Sequence, residues 1–139
     1  FIFPFNESEI SNDNIPLNCE FIPMTWYTGL EELAMNARIV LVPSLWSAPI
    51  ESALVKSIML LRAVCVVDIE NAFSAEIDDS IVFKLPRDIE YSSLYLKKLF
   101  DEQWKPDEDK LIAWISNHWK VNGYPINRMY KYLKDSNYL

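Results

Sequence analysis

The residues of this chain best suited to binding chemistry gather between positions 44 and 56. Ser44 follows the apolar run Ile39-Val40-Leu41-Val42 and Pro43, and Glu51, Ser52 and Lys56 follow Trp46, Pro49 and Ile50. The N-terminus of a helix leaves backbone N–H groups without intrahelical partners and carries about half a positive charge, so it can hold a phosphate without a basic side chain. Glu51 then has two readings. Either it is an acid favoured by the helix dipole, or its carboxylate belongs to a binding site. The readings conflict, because Glu51 would also repel a phosphate bound beside it. Lys56 lies near Glu51 but off its helical face, and is either a solvated lysine or a contact to phosphate or hydroxyls. Trp46 either packs under the loop or walls the pocket.

Other chemistries are excluded by composition. The 139 residues include only two glycines, too few for the glycine-rich loops that bring backbone close to a dinucleotide or a nucleoside triphosphate. One histidine and two cysteines, Cys19 and Cys65, cannot build a Cys/His zinc site or a disulfide scaffold, and two thiols in apolar strands fit a reducing, cytoplasmic setting. His118 falls on a late helix beside Trp119 and reads as a surface or half-buried residue. Asp68, Glu70, Glu76, Asp78 and Asp79 form a run without an intervening Lys or Arg. Asp68 and Glu70 read as a solvated turn, with oxygen ligands for Mg²⁺ as the alternative, and no metal site is assigned. A formal net charge of −7 argues against nucleic acid as a partner. No apolar run reaches the ~18 residues of a membrane span. The opening Phe1-Ile2-Phe3-Pro4-Phe5 has no basic flank and no small-residue cleavage site, so it reads as the start of a fragment rather than as a signal peptide.

The elements that must position these residues follow from periodicity. A chain of this length buries roughly two thirds of its unfolded surface, and half its residues are apolar, which predicts one folded domain over 1–139. Residues 6–18 read as a loop, Cys19–Ile22 as a short strand, and Leu30, Leu33, Ala34 and Ala37 as a helix face with Thr28 as N-cap. Arg38–Val42 is apolar on both faces, as a central parallel strand would be. A helix over 50–61 presents Ile50, Leu54, Ile58 and Leu61; Ala63–Val67 and Ile81–Phe83 are further strands. Helices follow near 89–101, near 108–121 with Asp107 as N-cap and Gly123 as the stop, and from about 126. Alternating strands and helices predict an α/β fold: a Rossmann-like parallel sheet flanked by helices, with the strands beginning near 20, 38 and 63 adjacent in it. Such sheets bind ligands beyond the carboxyl ends of their strands, which points at Pro43–Ser52 and Asp68–Ala75.

The run Ala37-Arg38-Ile39-Val40-Leu41-Val42-Pro43-Ser44 resembles the "A-D-V-x-V-x-P-S" stretch in the C-terminal half of GT-B enzymes of glycosyltransferase family 4. The resemblance continues over about residues 19–101. Glu20-Phe21-Ile22-Pro23 and Leu30-Glu31-Glu32-Leu33 are similar to the "V-x-F-x-G" strand and "E-E-L" helix, and Lys56-Ser57-Ile58-Met59 to "E-A-M-A". Ala63–Val67 is similar to "P-V-V-A", Ala75-Glu76-Ile77 to "P-E-I", and Ile81–Pro86 to "G-x-L-V-P-P". The family's two glutamates, which hold donor sugar and ribose, fall in this register on Ala48 and Lys56, and the glycine that opens the helix falls on Glu51.

The resemblance implies the C-terminal half of a GT-B fold that binds a nucleotide-sugar donor for transfer of a hexose, with retention and without metal or cofactor. Its implied partners are an N-terminal GT-B domain and an unidentified acceptor. Glu51 then supplies the carboxylate that Ala48 lacks, as the catalytic candidate. Ser44, Trp46, Pro49, Ile50, Ser52 and Lys56 bind the donor. The competing reading is a glycosyltransferase-like interaction module without catalysis. Residues 97–139 carry a net charge of +2 against −9 for residues 1–96 and concentrate Trp and Tyr. The segment 102–139 is read as helices packed on the same domain; docking on the other domain or peripheral membrane contact is the alternative.

Overall fold

The computed structural model describes residues 1–7, 15–45, 51–118 and 120. The chain divides into two compact units, Phe1–Ala37 and Arg38–Leu139.

In the first unit, β1 (Ile2–Phe3) pairs in parallel with β2 (Glu20–Phe21), Ile2 opposite Glu20 and Phe3 opposite Phe21. Phe21 stacks on Phe3 with ring centroids 5.1 Å apart, and Phe5 closes the trio at 5.6 and 5.8 Å. A short 3₁₀ turn at Trp26–Thr28 leads into α1 (Leu30–Asn36). Thr28 does not cap α1 as the sequence suggested. Its hydroxyl accepts instead from the Thr25 amide at 2.8 Å, closing the 3₁₀ turn, and Gly29 takes the N-cap position at φ 122°. Glycine is suited there because a side chain strains that backbone.

The second unit is built on three parallel strands in the order β3-β4-β5: β3 (Ile39–Val42), β4 (Ala63–Val67) and β5 (Phe83–Leu85). Ile39 lies opposite Ala63 and Val42 opposite Val66, and Cys65 lies opposite Phe83. The helices are α2 (Ser52–Met59), α3 (Ile89–Glu102) and α4 (Glu108–His118).

The period of two along the strands divides the core into two layers. Val40, Val42, Val64 and Val66 face a cluster with Leu54 and Ile58 of α2 and with Leu111, Trp114 and Ile115 of α4. Ile39, Cys65, Phe83 and Leu85 face the other way, onto Leu96 and Leu99 of α3 and onto Trp104. A parallel sheet flanked by helices is therefore the architecture of this unit, as the alternation of strands and helices required.

Four expectations are corrected. The strand at residue 20 is not in this sheet; it pairs with Ile2–Phe3, an apolar extended pair. β3 is not central: among the described strands it lies at one edge, with Leu41 exposed, and the fully buried Ala63–Val66 run holds the centre. Strand β5 begins at Phe83 rather than Ile81, because the Asp78 carbonyl accepts from the Ile81 amide at 2.9 Å and the Val82 amide at 3.3 Å and holds both in a turn. Helix α2 ends at Met59, and Leu61, expected on its buried stripe, is 55% exposed at φ 57°.

Helix α3 starts where Asp88 accepts from the Tyr91 amide at 3.0 Å, and ends with Gln103 in the left-handed conformation. Asp107 accepts from the Lys110 amide at 3.1 Å, which fulfils its expected capping role for α4. Trp119, Gly123 and the helix expected from about 126 lie outside the described residues.

Candidate functional site

Because β3 and β4 are parallel and in register from Ile39–Ala63 to Val42–Val66, their carboxyl ends open on the same edge of the sheet. Ser44 stands two residues beyond Val42 and Asp68 two residues beyond Val66. The chain returns at Glu51, which begins α2. Glu51 is the N-cap of this helix, with extended backbone at φ −107° and ψ 102°, rather than a residue of its first turn. Its carbonyl accepts from the Val55 amide at 3.0 Å, the first intrahelical bond.

The Glu51 side chain does not cap the helix. Shorter acceptors such as Ser, Thr, Asp and Asn are the residues that reach back to the first-turn amides. The Ser44 hydroxyl donates to Glu51 Oε1 instead, and both residues are half-buried. Two residues singled out from the sequence thus meet at the carboxyl end of the sheet.

Ser52, the first residue of α2, is exposed, and Lys56 is half-buried in the next turn. Trp46, Pro49 and Ile50 lie outside the described residues, as does Ala48. Helix α2 is held from beneath by Leu54 and Ile58, 0% and 1% exposed. Its buried hydroxyl, Ser57, donates to the Ala53 carbonyl at 2.8 Å. The N-cap therefore belongs to a helix packed into the core.

The acidic run after β4 is partly neutralised in space by lysines that come later in the chain. Asp78 accepts from the Ser80 hydroxyl at 2.5 Å and the Ser80 amide at 2.8 Å, and Lys110 of α4 lies 3.5 Å away. These hydrogen bonds from Ser80, followed by the Lys110 charge, hold the Asp78 carboxyl below its ordinary value. Asp79 pairs with Lys84 of β5 at 2.6 Å. The Asp78–Lys110 pair joins distant segments and leaves no signal in a local charge count, whereas Lys84 lies only five residues after Asp79.

Asp68 and Glu70 are exposed, and the Asp68 amide extends the ladder by donating to the Leu85 carbonyl at 2.8 Å. Among the described residues no group of three or more His, Cys, Asp and Glu side chains is placed to hold a metal ion. His118 is half-buried and stacks on Trp114 at 4.9 Å, with Phe73 edge-on at 6.2 Å. Among the described residues no helix is long and apolar enough to cross a membrane. Cys65 is buried in β4 and its thiol is pushed up to about 12 by that burial; Cys19 is half-buried and lies just before β2 rather than within a strand.

No protein-family model matches the chain, and comparison with curated proteins and with solved structures gave no significant match.

Proposed function

We propose that this chain is the donor-binding part of a GT-B glycosyltransferase, holding a nucleotide sugar so that a hexose can pass to an acceptor. The observation that carries the reading is the Ser44–Glu51 pair at the carboxyl end of the β3–β4 sheet, where α/β sheets bind their ligands. A carboxylate accepts hydrogen bonds and cannot donate them, so Glu51 is matched to the hydroxyls of a sugar or ribose. The first amides of α2 suit the diphosphate. Ser52 borders them, and Lys56 adds a cation one turn on. In this reading Glu51 does at the helix start what a glutamate at position 48 does in the family.

The test is a titration of the 139-residue chain with UDP, GDP and ADP, followed by backbone amide shifts. Weak binding, in the millimolar range, is expected because the reading assigns the rest of the cleft to an N-terminal domain. The amides of residues 44, 45 and 51–56 move first. Shifts confined to residues 105–139 would instead favour the interaction module, a reading supported by Ala48 and Lys56 standing at the family's glutamate positions. In a catalytically competent chain, Glu51→Gln lowers turnover about a hundredfold or more. Unchanged turnover at saturating donor ends the catalytic role.

A further inference from the structure

We propose that Ser44 is a positioning residue: its hydroxyl aims the Glu51 carboxylate at the hydroxyls of a bound sugar and does not itself donate to the ligand. This rests on the donor-site reading above and adds to it a division of labour between the two residues. A serine hydroxyl has one proton to give. The Ser44 hydroxyl gives it to Glu51 Oε1, so toward a ligand it keeps only acceptor capacity, which is useless against a phosphate oxygen.

Glu51 is the residue that needs such help. Its side chain is long, and it makes no capping bond to the α2 amides beside it. Without a tether it would sample several rotamers, and binding would have to freeze them at a cost in affinity. Ser44 supplies the tether from the far end of the connecting segment, seven residues earlier in the chain. Each end of the tether is anchored: Ser44 follows Val42 of β3, and Glu51 opens a helix whose Leu54 and Ile58 are buried in the core. With Oε1 engaged by Ser44, Oε2 is the oxygen left to accept from a ligand that donates. Under the donor-site reading the group accepted here is a hydroxyl of the sugar, with the anionic part of the ligand left to the helix amides and Lys56.

The experiment has two arms. In the first, Ser44→Ala, Glu51→Ala and the double variant of the 139-residue chain are unfolded in urea without ligand. Alanine replaces Glu51 here because a glutamine oxygen would still accept from Ser44; Glu51→Gln joins the set for the second arm. Coupling between the two changes is expected, and strict additivity would overturn the contact itself. In the second, wild type and variants are titrated with UDP-, GDP- and ADP-glucose and with the matching diphosphates. The measured quantity is the affinity ratio of each sugar nucleotide to its diphosphate. A merely structural defect weakens both members of a pair and leaves the ratio alone.

The ratio is expected to fall severalfold, up to about tenfold, in Glu51→Gln and in Ser44→Ala alike, and no further in the double variant. Ser44→Thr, which keeps the hydroxyl, restores it. A ratio that falls in Glu51→Gln but not in Ser44→Ala overturns the positioning role and leaves the donor reading standing. A wild-type chain that binds none of the six probes, or binds each pair equally, removes the donor reading and this proposal together.

Discussion

The guanidinium carbon of Arg38 lies over the Phe100 ring, 3.8 Å from its centroid, while its Nη2 donates to the Phe100 carbonyl at 2.6 Å. One side chain thus ties the residue before β3 to the last turn of α3. That carbonyl is among those a helix cannot satisfy internally, and a cation there also complements the helix dipole. Arg38→Ala is expected to lower stability by about 1 kcal/mol, measured by urea unfolding. Arg38→Lys should recover only part of it, because an ammonium keeps the charge but loses the planar fork.

The core layer beneath the candidate site has little slack. Leu54 is 0% exposed and packs with Ile58, Val64, Val66 and Leu111. Leu54→Ala should cost about 2–5 kcal/mol through lost burial and the cavity left behind. Leu94→Ala on α3, where the side chain is 62% exposed, should stay within about 0.5 kcal/mol. Equal costs in the two variants would contradict the division of buried and exposed faces.

Leu61 holds the left-handed backbone conformation at φ 57° just after α2, with its amide donating to the Ile58 carbonyl at 3.0 Å. A helix exit of this kind favours glycine, and leucine holds it at a steric cost. Leu61→Gly should therefore raise stability by about 0.5–1 kcal/mol, seen as a higher urea midpoint, with Leu61→Asn in between. The exposed leucine side chain gives up little packing in return.

Burial raises the Cys65 thiol from 9.0 to about 12. The folded chain keeps this proton where the unfolded chain releases it, so the associated stability is intact below pH 9.0 and is lost as pH rises toward 12. Wild type should lose stability faster than Cys65→Val between pH 8 and pH 10.5, the difference isolating this thiol from other titrating groups. In the native state at pH 8, an alkylating reagent should modify Cys19 well before Cys65. Equal rates would mean that β4 opens readily.

Legibility followed the physics of each element. The strand at Ala63–Val67 could be read because burial on both faces imposes an unbroken apolar run, and α3 because Leu96 and Leu99 repeat at helical spacing. Asp107 caps α4 as its position before the helix indicated, and Asp88, which was not singled out from the sequence, does the same for α3. Boundaries were harder to read where the usual glycine was absent: Leu61, Asn71 and Gln103 all take positive φ in a chain with two glycines. The sheet partner of residue 20 leaves no local signal, because a short extended pair such as Phe3 and Phe21 carries no label of its neighbour. At the candidate site, residue types and the sheet edge were legible. The Ser44–Glu51 bond was not, since seven intervening residues leave its geometry undetermined.

The middle position of β4 also sets how the sheet comes apart. In a parallel ladder successive amides of a central strand point alternately to its two neighbours, so Ala63–Val67 divides its hydrogen bonds between β3 and β5. Fraying of either outer strand frees only half of them. Deuterium from solvent therefore reaches one half of the β4 amides when the β3 ladder opens and the other half when the β5 ladder opens, so two interleaved sets of protons on one strand report the two ladders separately. The outward amides of β3, by contrast, report the local openings of a strand edge.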